Sequence, residues 1–173
     1  MESVMSDYSL GKASRLLRRV RGGKRVVLTG GTFDIIHPGH LKYLARCVGE
    51  GDILVVCVAG DARTRRRKGP GRPLLSATQR AKIVSSLRMV DFVFVSDRKP
   101  FSESILRQIN PDVVVTSSNE PSPTIKHNFR KYMQQKYPGV NVVLIHRPSS
   151  SWSSSSLIKF LIENGKSSAT TLL

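Results

Sequence analysis

Residues 25–48 read RVVLTGGTFDIIHPGHLKYLARCV, and the order of features along that stretch decides the fold. Val26, Val27 and Leu28 make an apolar, β-branched run that predicts a short strand ending near Thr29. Gly30-Gly31 opens a turn. From His40 onward Leu41, Leu44, Ala45 and Val48 recur at helical spacing, and Gly49 and Gly51 close the helix. The next run, ILVVCVA at 53–59, is apolar throughout, as expected of a parallel strand buried on both faces.

Outward from that unit the alternation continues. Ser76 to Leu87 predicts a helix, with Ser76 and Gln79 at capping-box spacing. FVFV at 92–95 reads as a strand, 102–109 as a helix, DVVVT at 112–116 as a strand and 126–136 as a helix. VNVVLI at 140–145 is a fifth strand and 157–163 a last helix. Strand and helix alternating five times imply an α/β fold, a single doubly wound parallel sheet of about five strands. Before it, residues 1–23 form a basic N-terminal extension whose helix carries Leu10, Ala13, Leu16, Leu17 and Val20 and stops at Gly22-Gly23. The main domain is expected over 24–165, with 166–173 a frayed, disordered tail. Residues 60–73 read as a basic loop, and 149–156 are serine-rich.

The 173 residues carry 28 Lys+Arg against 12 Asp+Glu, a net charge of +16. Clusters lie at Arg15, Arg18, Arg19, Arg21, Lys24, Arg25; at Arg63, Arg65, Arg66, Arg67, Lys68, Arg72; and at Lys126, Arg130, Lys131, Lys136. Such charge suits nucleic acid or a small polyphosphate equally well, and no zinc-finger spacing or aromatic-rich RNA-binding signature accompanies it. No apolar run approaches the roughly 20 residues of a membrane span, and no signal peptide precedes the domain, so a soluble cytoplasmic protein is expected. Cys47 and Cys57 match no metal-ligand spacing and read as small core residues. Homodimerisation is left open.

In doubly wound sheets ligands bind beyond the carboxyl ends of the strands. The turn after the first strand is therefore the place to look, and it lacks both the Walker A lysine and GxGxxG. It offers instead His37-Pro38-Gly39-His40 at a helix start, where backbone N–H groups and the helix dipole suit a phosphate. Gly30 and Gly31 would let a nucleotide approach the backbone. Alone, His37 could be a helix cap and His40 a surface histidine; their position in the chain favours a ligand site.

GGTFDIIHPGH at 30–40 resembles the GxFDxxHxGH signature of the cytidylyltransferase-like nucleotidyltransferases, and the likeness runs from about Lys24 to about Ile162. Gly51-Asp52, Val90-Asp91 and Trp152-Ser153-Ser154-Ser155 resemble later landmarks of that family. KGPGRP at 68–73 with Gln79-Arg80 is similar to a segment of its heptose 1-phosphate adenylyltransferase branch. The resemblance implies a Rossmann-like sheet and transfer of a nucleotidyl group from an NTP to a phosphorylated acceptor, with release of pyrophosphate. ATP is favoured and CTP stays open. It further implies that His37 and His40 contact the triphosphate while Lys68 and Arg80 grip phosphates from exposed positions on the ligand side. Gly30, Gly31, Thr32, Phe33, Gly39, Ser153, Ser154 and Ser155 would line the nucleotide, and Lys42, Arg72 and Arg147 the acceptor phosphate. Mg²⁺ would arrive with the NTP, with Asp34 a turn-former and metal neighbour.

Two departures bear on the acceptor. Thr116-Ser117-Ser118-Asn119-Glu120 replaces the Gly-Asp pair that related transferases carry after the fourth strand, and serines replace the threonines of their terminal motif. Glycerol-phosphate cytidylyltransferase-like and FAD-synthetase-like activities therefore stay open, as does a nucleic-acid-binding protein on the same scaffold.

Overall fold

The computed structural model describes residues 7–118, 123–146, 156–160 and 164. Its elements are α1 (Leu10–Val20), β1 (Val26–Gly31), α2 (Pro38–Val48), β2 (Ile53–Ala59), α3 (Asp61–Lys68), α4 (Ala77–Ser85), β3 (Phe92–Ser96), α5 (Glu103–Ile109), β4 (Val113–Ser118), α6 (Pro123–Lys136) and β5 (Asn141–His146). The five strands form one parallel sheet in the order β3-β2-β1-β4-β5. The chain runs outward from β1 in one direction, then crosses back and runs outward in the other. With one crossover hand, that reversal puts the helices of the two halves on opposite faces.

The packing follows. Leu44 and Cys47 of α2 and Ala81 and Val84 of α4 bury against Val27, Val56 and Val113 on one face. On the other, Ala13 and Leu17 of α1, Ile105 and Ile109 of α5 and Met133 of α6 cover Leu28, Val55 and Val114. All seven residues of β2 are buried, as its continuous apolar run requires. Helix α1, expected as an extension, is thus part of the second core layer. The segment before it also covers the edge of the sheet, since the Tyr8 carbonyl accepts from the Val95 N–H at 2.8 Å.

Segment 60–73, expected as a loop, contains α3. That helix has no apolar periodicity; it is held by Thr64, which is buried, and by the Asp97 carboxylate, whose Oδ1 accepts from the Arg63 N–H at 2.8 Å. The predicted capping box of α4 forms, with Ser76 and Gln79 each accepting from the other's backbone. Of the last helix, residues 156–160 and 164 are helical; Arg147, Ser153, Ser154, Ser155 and the 166–173 tail lie outside the described residues.

Aspartates close the N-terminal edge of the sheet. Asp52, Asp91 and Asp112 each accept through Oδ2, at 2.7 Å, from the backbone N–H of Arg25, Leu54 and Val26 respectively. Each aspartate's own N–H donates back to the carbonyl of the same residue, at 2.8, 3.1 and 2.9 Å. A carboxylate thereby replaces the missing rung at the start of each parallel pair. Asp91→Ala should lower unfolding free energy by about 1–3 kcal/mol, the cost of a buried N–H left without an acceptor, while Asp91→Asn keeps most of it. Urea denaturation measures both, and a loss under ~0.5 kcal/mol for the alanine variant would remove the edge role.

Candidate active site

The site grows from the end of β1. Residues 32–36 lead from the strand to α2, which starts with Pro38 at its first position, where a missing N–H costs nothing. His37 is the N-cap residue, extended at φ −143° and ψ 164°, and its imidazole makes no cap hydrogen bond. Capping is left to its carbonyl, which accepts from the N–H groups of His40 at 2.8 Å and Leu41 at 3.3 Å. His40, the third residue of α2, lies one turn from the helix start with its ring stacked on that of His37. The centroids are 3.8 Å apart and the planes 30° from parallel. Both side chains are largely buried. The HxGH spacing therefore brings two imidazoles to one point at a helix N-terminus, as the sequence reading expects.

Phe33 fixes the other side of the pair. Its ring centroid is 5.2 Å from that of His40, and its backbone takes the left-handed φ of 51°. Gly31 makes room for it: a Cβ there would sit 2.7 Å from Phe33 Cε2. At Gly30 a Cβ would meet the Pro100 ring at 2.6 Å and the Cys57 carbonyl at 3.0 Å. The two glycines thus serve close approach to Phe33 and Pro100.

Two arginine–aspartate pairs join the turn to the rest of the site. Asp34 is buried, its Oδ1 accepting from the N–H groups of Leu74 at 2.8 Å and Leu75 at 3.2 Å, its Oδ2 3.0 Å from Arg72 Nε. Arg80 is fully buried. It donates through Nη1 to the Thr32 carbonyl at 2.5 Å, through Nε to the Leu75 carbonyl at 2.9 Å and through Nη2 to Asp61 Oδ1 at 2.7 Å. The exposed position expected for Arg80 is therefore overturned. Arg72 is likewise drawn inward to Asp34, its side chain only 10% exposed. Asp34 itself pins the loop, and among the described residues no group of three His, Cys, Asp or Glu side chains could hold a metal ion by itself.

Lys42 on α2 and Lys68 at the end of α3 are exposed. Thr32 is buried, with its carbonyl taken by Arg80. Cys47 and Cys57 are buried free thiols pushed up to about 12 by desolvation, which bears out their reading as core residues. Asp61 escaped the sequence reading. Its signal was a single acid opening the otherwise basic segment DARTRRRK.

A helix N-terminus with paired imidazoles, beyond the carboxyl end of the strand where the order reverses, defines a nucleotide-binding α/β domain. The chain belongs to the cytidylyltransferase-like family, whose model matches residues 28–170. It is 36% identical over 147 residues to the bifunctional protein HldE of Desulfatibacillum aliphaticivorans, covering 84% of this chain and 28% of that protein. It is 42% identical over 99 residues to HldE of Campylobacter curvus, covering 57% and 21%. The chain thus spans about a quarter of the length of such curated relatives. Among solved structures, the lipopolysaccharide core biosynthesis protein of Thermoplasma volcanium superposes with a TM-score of 0.60 at 23% identity, over 74% of this chain and 99% of that one. Pantoate-beta-alanine ligase of Francisella tularensis gives 0.61 at 13% identity, over 88% and 71%. Both share the fold. Among the described residues no helix is long and apolar enough to cross a membrane.

Arg80→Ala should cost about 3–5 kcal/mol of stability, because it leaves two backbone carbonyls without their buried donor and strips Asp61 of its partner. Denaturant unfolding tests this, and a loss below ~1 kcal/mol with weakened nucleotide binding would return Arg80 to the ligand.

Proposed function

We propose that the chain transfers a nucleotidyl group, with AMP from ATP favoured over CMP from CTP, to a phosphorylated sugar or similar acceptor. An acceptor phosphate oxygen attacks the α-phosphorus in line, the bond to the bridging oxygen breaks, and pyrophosphate leaves. The observation that carries this reading is the stacked His37–His40 pair at the start of α2. Imidazole N–H groups there serve the α-phosphate and the bridging oxygen as charge moves onto it. The attacking phosphate is already nucleophilic, so no base is required. ATP is favoured by the likeness of the KGPGRP segment to the heptose 1-phosphate adenylyltransferase branch.

The remaining roles follow the same reading. Lys68, exposed beside the loop that Arg72 and Arg80 secure, meets the β- and γ-phosphates or the acceptor. Lys42 and Arg147 complete the acceptor side, with Arg72 acting through Asp34 as a loop anchor. The hydroxyls of Ser153, Ser154 and Ser155 serve the outer phosphates. Mg²⁺ belongs to the substrate as MgNTP, consistent with an Asp34 already engaged by Arg72 and two amides.

One observation favours a second reading. Helix α3 carries Arg63, Arg65, Arg66, Arg67 and Lys68, while its single acid, Asp61, is turned to Arg80. Such a helix suits a longer polyanion such as nucleic acid. A steep salt dependence of oligonucleotide binding, with no nucleotidyl transfer, would put that reading first.

His40→Ala should lower kcat by about 10²–10³ while the KM for MgATP changes far less, since the contact strengthens as the bridging oxygen gains charge. His37→Ala should behave alike, and the double variant should cost less than the two combined. Pyrophosphate release with Mg²⁺, each NTP and a panel of sugar, alcohol and flavin phosphates is the assay. No turnover with any acceptor would end the enzyme reading, whereas faster turnover with CTP would only change the base.

A further inference from the structure

At the switch point the sheet splits. β1 pairs with β2 from Val26 to Gly31 and β4 pairs with β5 from Val113 to Ser118, but β1 and β4 pair only at Val27–Val113 and Leu28–Val114. Directly past the last pair, side chains take over. Thr29 Oγ1 donates to the Val115 carbonyl at 2.9 Å, the Tyr43 hydroxyl lies 3.1 Å from the same oxygen, and the two hydroxyls are 2.7 Å apart. Two hydroxyl protons serve three contacts, so one hydroxyl donates to the carbonyl and the other donates to it in turn. Around this cluster the layer is apolar, formed by Val27, Leu44, Val113 and Val115.

An aliphatic side chain at 43 would fill such a layer without polar groups to satisfy. What the hydroxyls add is a fixed position. Tyr43 lies three residues after His40, on the same buried face of α2. Thr29 is the first residue of β1 past its last pair with β4, and Val115 lies on the strand across the fork. The triangle therefore ties both ends of the 30–42 segment, the one that carries the imidazole pair, to each other and to β4.

We infer that Thr29 and Tyr43 are positioning residues that set the height and orientation of the His37–His40 pair above the β1–β4 fork. This rests on the catalytic reading given for those histidines, but the geometry it asserts can be tested without turnover. Tyr43→Phe keeps the ring and removes the hydroxyl, and Thr29→Val does the same for the strand. Each should lower kcat by about 10- to 100-fold, the range for a small misplacement of a catalytic group, with the KM for MgATP held within about twofold. Thr29→Ser, which retains the hydroxyl, should restore kcat, and the Tyr43→Phe/Thr29→Val pair should cost no more than the worse single variant. Tyr132→Phe, on the exposed face of α6, is the control. In the ligand-free protein the ring-proton resonances of His37 and His40 should move in Tyr43→Phe and return towards wild type in no variant lacking either hydroxyl. Unmoved imidazole resonances overturn the proposal, whether or not the wild type turns over any acceptor. So does a loss of melting temperature with kcat unchanged, which would leave the triangle a stability element only. An inactive wild type with moved resonances would sink the transferase reading and leave the positioning intact.

Discussion

β1 is hydrogen-bonded along its whole length on one side and for only two residues on the other. That asymmetry follows from the strand order. A parallel sheet built outward in both directions from its first strand must reverse beside that strand, and there the connecting loops leave to opposite faces. The two sheet halves part, and the helix that follows β1 begins beside the gap. The α2 N-terminus, the imidazole stack, Phe33 against it and the hydroxyl triangle are arranged around this opening.

The few acids of this basic chain explain how the opening is framed. Of the 12 Asp+Glu residues, Asp52, Asp91 and Asp112 replace ladder rungs at the sheet's N-terminal edge. Asp97 caps α3, and Asp34 and Asp61 hold Arg72 and Arg80. In these six positions carboxylates serve backbone amides or buried guanidinium groups. Carboxylates fixed in this way do little to screen the exposed cations of α3, so the net charge of +16 is expressed largely at the surface.

Much of this was legible in the sequence because it depends on local order. Continuous apolar runs gave the buried strands, Ser76 and Gln79 gave a helix start, and HPGH at the end of a strand gave the imidazole pair. What escaped depends on partners distant in the chain. α3 has no apolar stripe and is held by Asp97, 34 residues beyond Arg63. Arg80 reads as a surface cation until the Thr32 carbonyl, 48 residues away, is brought beside it. The roles of Gly30 and Gly31 likewise hinged on Pro100 and on the left-handed turn of Phe33, neither of which spacing alone reveals.

The burial of Arg80 and Arg72 changes how the cations of the site divide their work. Arg80 is fully buried and gives each of its three nitrogens to a protein acceptor, so drawing it out towards solvent would leave those acceptors unpaired, which is expensive in a buried setting. Lys68, by contrast, lies exposed at the end of α3. The planar, multidentate arginines suit the fixed frame, where several carbonyls and one carboxylate must be satisfied at once. The frame is anchored on both sides, α3 through Asp61 and by Asp97, and the 72–75 loop at Asp34. Buried ion pairs and hydroxyls therefore hold the frame, while Arg65, Arg66, Arg67 and Lys68 of α3 are left at the surface.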